Sequence, residues 1–215
     1  MGRHRCDMLA HEAGRNVLMP RLRRGFTLVE VLIALAVLGV LSVIGLPALM
    51  GSLNNSRVRS VAETLQNGLR RAQSEAILRS RQTAFVLTDA APGLSAVPAA
   101  NGKNWYAQTL PLVASEAIDS TFFVQGGSFG SDTTGVTITG PTVICFNSIG
   151  RLVANPSTGL GVACTVPAGV PARYLYDVTR SGANRTLELQ VSQSGQIRMC
   201  DKSRGGVSAT KPDGC

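Results

Sequence analysis

The side chains that most often carry chemistry are few here and unevenly placed. Both histidines, His4 and His11, fall within the first 25 residues, so the rest of the chain has no imidazole to act as a general base or metal ligand. Of the five cysteines, Cys6 lies in that same stretch, and Cys145, Cys164, Cys200 and Cys215 show no CxxC spacing suited to a metal or redox centre. No Walker-type loop, GxGxxG or GxSxG occurs where a strand-to-helix turn could use it, and acids are sparse. These residues exclude the common hydrolase mechanisms. They predict a protein that is not an enzyme, with no catalytic residue, metal, cofactor or small-molecule substrate. What the cysteines can do is cross-link. Four of them allow three connectivities, and pairing Cys145 with Cys164 and Cys200 with Cys215 closes the shortest loops. Each bridge is expected to stabilise by roughly 3 kcal/mol, because it restricts the unfolded chain.

Glu30 is the other chemically conspicuous residue. It is the single charge in FTLVEVLIALAVLGVLSVIGL, 21 residues from Phe26 to Leu46, which at helical rise span about 30 Å, the thickness of a bilayer's hydrocarbon core. The stretch Arg21-Leu22-Arg23-Arg24 immediately before it orients the amino end to the cytoplasm and everything after the helix outside. A carboxylate in such a helix is costly unless a cation meets it. Cleavage between Gly25 and Phe26 would supply one: a free amine on Phe26, placed to be neutralised by the Glu30 of a neighbouring subunit. The plain alternative, an uncleaved signal anchor, leaves Glu30 without a partner.

The net charge of +8 is partly a property of residues 1–25, which hold six basic and two acidic side chains; without them the charge falls to +4. A strongly basic composition is therefore no argument for nucleic-acid binding. Met19 offers a second start, giving the short leader MPRLRRG. Pro47 is expected to bend the helix. Beyond it Val58, Val61, Leu65, Leu69, Ala72 and Ala76 form one helical stripe that should bury against a sheet. Arg57, Arg59, Arg70, Arg71, Arg79 and Arg81 occupy the other faces. Gly68 interrupts the pattern, through either local weakness or a close approach of backbone.

After Arg81 the period changes. Short β-branched or aromatic runs at 83–88, 104–110, 121–125, 136–139, 142–146, 174–179, 186–192 and 196–200 predict strands. Turn residues at 147–150, 181–184 and 193–195 predict hairpins, and 90–102 and 126–135 read as exposed loops. The expected organisation is a leader (1–25), a transmembrane helix (26–50), the outer half of the same helix (51–82) and a β domain (83–215). The fold class is α+β, one long helix packed on antiparallel sheets.

Gly25-Phe26-Thr27-Leu28-Val29-Glu30, after a basic leader and before an apolar run, resembles the prepilin cleavage motif of type IV pilins and type II secretion pseudopilins. The resemblance implies a type IV pilin-like fold, a peptidase that cuts after Gly25 and N-methylates Phe26, and local melting between Gly39 and Pro47 as filaments pack. Leu69-Arg70-Arg71-Ala72-Gln73-Ser74-Glu75-Ala76-Ile77, Phe146-Asn147-Ser148-Ile149-Gly150-Arg151 and Ser194-Gly195-Gln196-Ile197-Arg198-Met199-Cys200-Asp201 resemble the GspH/FimT family of minor pilins. With these the resemblance covers most of residues 25–201.

The implied partners are a prepilin peptidase, other pilins or pseudopilins and the inner membrane. The implied role is a minor subunit of a type IV pilus or a type II secretion pseudopilus, its C-terminal domain periplasmic. DNA is a further partner in FimT-like members, which use Gly-Arg-x-Arg near the end; this chain has Gly195-Gln196-Ile197-Arg198, with glutamine at the first arginine. Arg198, Lys202 and Arg204, with Lys211, are the residues that would contact phosphates, against the simpler reading of a solvent-facing strand position and a soluble tail. A non-assembling membrane-anchored adhesin would also fit the anchor, and would tolerate Glu30→Leu.

Overall fold

A computed structural model describes residues 25–113, 115–130 and 134–215, with the side chains of 44 and 46–48 set aside. His4, His11, Cys6, Met19 and the basic run at 21–24 lie outside the described residues, as does the Pro47 side chain. The chain divides into two units, Met1–Val43 and Ile44–Cys215. The helix α1 (Leu28–Leu78) continues through position 47 without a stop.

In the second unit the stripe is buried as its spacing requires: Val58, Val61, Leu65, Leu69, Ala72 and Ala76 are all fully covered. They pack on the inner faces of two sheets. The first sheet has the order β3 (Phe123–Ser128), β2 (Asn104–Thr109), β1 (Thr83–Thr88), β5 (Val143–Phe146). The second has the order β4 (Val136–Thr139), β6 (Arg173–Arg180), β7 (Leu187–Ser192), β8 (Ile197–Asp201). Every strand pair in both sheets is antiparallel.

The two sheets differ in how they are covered. In β6 and β7 the inward apolar side chains Tyr176, Val178, Leu187, Leu189 and Val191 alternate with outward ones that are polar except for Leu175, as in a sheet with one wet face. β1 does not alternate: all six residues are buried. Phe85 and Leu87 face the helix, and Ala84 and Val86 meet a second cluster with Tyr106, Val143, Leu160 and the Cys145–Cys164 bridge. The bridge thus pins an irregular segment over the outer face of the first sheet. The second bridge, Cys200–Cys215, holds the end of the chain to β8.

Three amide side chains of α1 secure the turns between strands. Asn54 donates to Gly182 O at 3.1 Å and accepts from Arg180 Nε at 2.9 Å, and Asn55 Oδ1 accepts from the Asn184 N–H at 2.9 Å. Gln73 Nε2 donates to both Gly150 O (2.8 Å) and Gly195 O (2.7 Å), so one side chain joins two turns. The turn at 193–195 links β7 to β8, whereas 147–150 leads only to an isolated bridge between Phe146 and Leu152.

Several boundaries depart from the sequence reading. The helix ends at Leu78, not at 82, so Arg79 and Arg81 follow it rather than line it. The Arg81 N–H bonds Ala76 O and the Ser80 N–H bonds Ile77 O, with Ser80 at φ 51°. This is a Schellman termination, and it is hard to see in sequence because serine occupies the position usually given to glycine. Ser80→Gly is therefore expected to stabilise the fold by about 0.5–1 kcal/mol, measurable as a shift in urea midpoint.

The strand expected at 121–125 sits further on. A 3₁₀ turn takes Ser120–Phe122, and β3 runs into the stretch read as an exposed loop. Its Gly126 and Gly127 lie where added Cβ atoms would meet Pro92 at 2.3 Å and Trp105 at 3.0 Å, and Phe129 beyond them is buried. The segment 90–102 is likewise partly buried, tied by the Ala99 N–H to Leu87 O and by the Tyr106 hydroxyl to Ala96 O. At Gly68 it is rings, not backbone, that come close: a Cβ would stand 2.9 Å from both Phe85 and Trp105, which stack with centroids 5.8 Å apart.

Candidate functional site

The first candidate is the segment around Gly25. Residues 25–27 are not helical and are exposed, Phe26 at 82%, so the bond between Gly25 and Phe26 lies in open chain just ahead of α1. The reason α1 starts where it does is local. Thr27 Oγ1 accepts the Glu30 N–H at 3.2 Å, and Thr27 O accepts the Val31 N–H at 3.2 Å. Thr27 is thus the N-cap, and Glu30 stands at the third helical position, the arrangement of a T-x-x-E capping box. Its carboxylate also lies at the positive end of the helix dipole. This cap is legible in the T-x-x-E spacing of Thr27 and Glu30, a signal that hydropathy does not carry.

From Leu28 to Val43 the large apolar side chains are exposed all around the helix, including Leu28, Leu32, Leu35, Leu38 and Leu41. The glycines are equally open: a Cβ at Gly39 or Gly45 would meet nothing within 4 Å. Among the described residues no helix is long and apolar enough to cross a membrane; the side chains of 44 and 46–48, which complete the run read from sequence, are not among them.

The second candidate is the strip of Arg198, Lys202 and Arg204. The structure does not present these as three free cations. Lys202 Nζ lies 2.7 Å from Asp177 and 3.4 Å from Glu188, across the outer face of the second sheet. The hydrogen bond to Asp177 holds its ammonium above the ordinary lysine range. Arg204 meets Asp213 at 2.9 Å and Asp201 at 3.8 Å. Only Arg198, exposed on β8, has no carboxylate near it among the described residues. Asp177 and Glu188 are remote in sequence from Lys202, and no spacing rule could have paired them with it, whereas Asp201 and Asp213 are near neighbours of Arg204 in the chain.

The helix arginines are similarly engaged. Arg59 pairs with Glu63, Arg71 and Arg79 both flank the buried Glu75, and Arg81 meets Glu116 while its guanidinium lies 5.0 Å from the Phe122 ring centroid. Most of what looked like a basic face is therefore a set of ion pairs, the exposed ones worth about 0–1 kcal/mol each. A metal has little claim on Glu188, Cys200 and Cys215, which lie together, because the two sulfurs are bonded to each other.

Against this geometry two family matches are decisive. Residues 20–46 match the prokaryotic N-terminal methylation motif, and residues 61–206 match the type II transport protein GspH family, which takes in most of the second unit. The chain belongs to the GspH family. As a GspH-family chain with a methylation motif it is a minor pilin or pseudopilin, a structural class of subunit. Two crystal structures of the type IV minor pilin FimU of Pseudomonas aeruginosa (strain PAO1) also match. One, in space group P65, has TM-score 0.44 and 18% identity over 70% of this chain and 97% of that one. The other, in space group P21, has TM-score 0.46 and 18% identity over 71% of this chain and 94% of that one. No curated protein matches.

Proposed function

We propose that this GspH-family chain is made as a membrane-inserted prepilin, cut between Gly25 and Phe26, methylated on Phe26, and packed through α1 into a pilus-like filament. The observation that carries the reading is the apolar helix itself, which starts directly after an accessible Gly25–Phe26 bond and whose side chains from Leu28 to Val43 are left exposed by the described residues. A helix apolar on every side is stable in lipid or against other helices. The open space around Gly39 and Gly45 allows neighbouring backbones to approach closely. Before assembly the run from Phe26 crosses the inner membrane, basic end inside, with the second unit in the periplasm; Pro47 relaxes the helix as it packs. In the filament Glu30 neutralises the amine left on a neighbour's Phe26. The two disulfides suit an oxidising compartment.

Replacing Gly25 by leucine tests the processing step. Gly25→Leu is expected to abolish cleavage, leaving a precursor that stays in the membrane and is missing from sheared filaments. Normal cleavage of that variant would overturn the assignment of the scissile bond. DNA binding receives no support from a basic strip in which Lys202 and Arg204 are already paired.

A further inference from the structure

The outer face of the second sheet divides into two parts of opposite character. Toward the chain's end, Lys202, Arg204 and Arg185 are matched by Asp177, Glu188, Asp201 and Asp213. Toward the turn at 193–195 lies a small groove lined by Arg173, Arg198, Gln190, Ser192, Gln196 and Pro171, with no carboxylate in its wall. The strand register explains the convergence: Leu175, Gln190 and Arg198 form one cross-strand row on β6, β7 and β8, and Arg173 pairs with Ser192 in the next. The Arg173 guanidinium donates to Gln190 Oε1, and Gln190 Nε2 donates in turn to Glu188 at 2.7 Å. That chain fixes the amide and aims Arg173 along the groove, while Lys202 balances Glu188 from the other side.

We infer that this groove is a docking site for a single carboxylate carried on an apolar protein segment of a partner. Two guanidiniums in one concave site, without an acid of their own, match one carboxylate in charge and fork geometry. Leu175, 42% exposed in the same row, and the fully exposed Val170 beside Pro171 supply apolar surface at the rim. A polyanion fits poorly. Following successive phosphates takes an extended basic track, usually with stacking aromatics, and the cations next to this groove, Lys202, Arg204 and Arg185, are already paired with acids.

The test uses the intact oxidised chain in a non-ionic detergent and three probes: a fluorescent leucine-flanked glutamate peptide, its glutamine counterpart, and a short DNA duplex. The expected result is binding of the glutamate peptide alone, weakened about tenfold by Arg173→Gln and by Arg198→Gln and unchanged by Lys211→Gln. Binding of both peptides alike would show an apolar contact only and overturn the carboxylate assignment. Failure of the glutamate peptide to bind, or duplex binding that depends on Arg198 in its absence, would likewise overturn it. Near-native fluorescence of Trp105, the chain's one tryptophan, in each arginine variant keeps a loss of binding distinct from a loss of fold.

Discussion

Gly195→Ala is expected to cost the second unit about 2–6 kcal/mol, combining roughly 1–3 kcal/mol of backbone strain with roughly 1–3 kcal/mol of overpacking. Gly195 stands at φ 91°, a conformation that side chains rarely adopt, and a Cβ there would lie 2.0 Å from Gly150 O and 2.6 Å from Gln73 Nε2. The clash cannot be relieved by one side chain, because Gly150 is held by the same Gln73 amide that holds Gly195. Separating these loops would leave that amide and two carbonyls without partners. Domain stabilities are about 5–15 kcal/mol, so the variant should sit near the edge of folding. A urea titration followed through Trp105 fluorescence measures it. Gly205→Ala is the control: Gly205 has φ 70° with nothing within 4 Å of its Cβ, so it should lose only about 1 kcal/mol. Equal losses for the two variants would mean that strain alone matters and that the three-way junction of Gln73, Gly150 and Gly195 does not.

Glu30→Ala is expected to leave cleavage intact and to reduce incorporation into filaments by at least about tenfold. An amine buried among apolar helices without its counter-ion costs several kcal/mol, and each 1.4 kcal/mol is about a tenfold change. The start of α1 should survive the substitution, because the bond from Glu30 to Thr27 uses the backbone N–H that alanine retains. Glu30→Gln separates the contributions further, keeping the side chain's size while removing its charge. It should behave like Glu30→Ala in assembly, scored as subunit recovered in sheared filaments against subunit left in the membrane. Wild-type incorporation of either variant would remove Glu30 from the assembly mechanism.

Much of the fold was legible in the sequence because its main features are periodic. The stripe from Val58 to Ala76 is buried at every position, and eight strands form near the eight runs that suggested them. Loop length gave the pairing of Cys145 with Cys164 and of Cys200 with Cys215. What failed to show had physical reasons. Ser80 closes the helix in a conformation normally marked by glycine. Gly126 and Gly127 belong to β3 because Pro92 and Trp105 fill the space their side chains would need, whereas glycine pairs ordinarily signal a loop. The doubly covered β1 depends on a distant segment folded back by the first disulfide.

The candidate sites divide in the same way. Gly25, Phe26 and Glu30 are neighbours in sequence, and the structure adds only the Thr27 cap and their exposure. The C-terminal cations are different. Whether Lys202 and Arg204 are free depends on Asp177, Glu188 and Asp213, which tertiary pairing brings to them. Arg173 belongs to none of the sequence motifs and joins Arg198 only through the register of β6, β7 and β8.

The most direct test of the filament reading is the mass of this subunit recovered from sheared filaments of a strain that expresses it. The account predicts a chain that begins at Phe26 and carries one methyl group on its terminal amine. A chain that keeps Gly25 and the basic residues before it, or one confined to the membrane and absent from filaments, would contradict it.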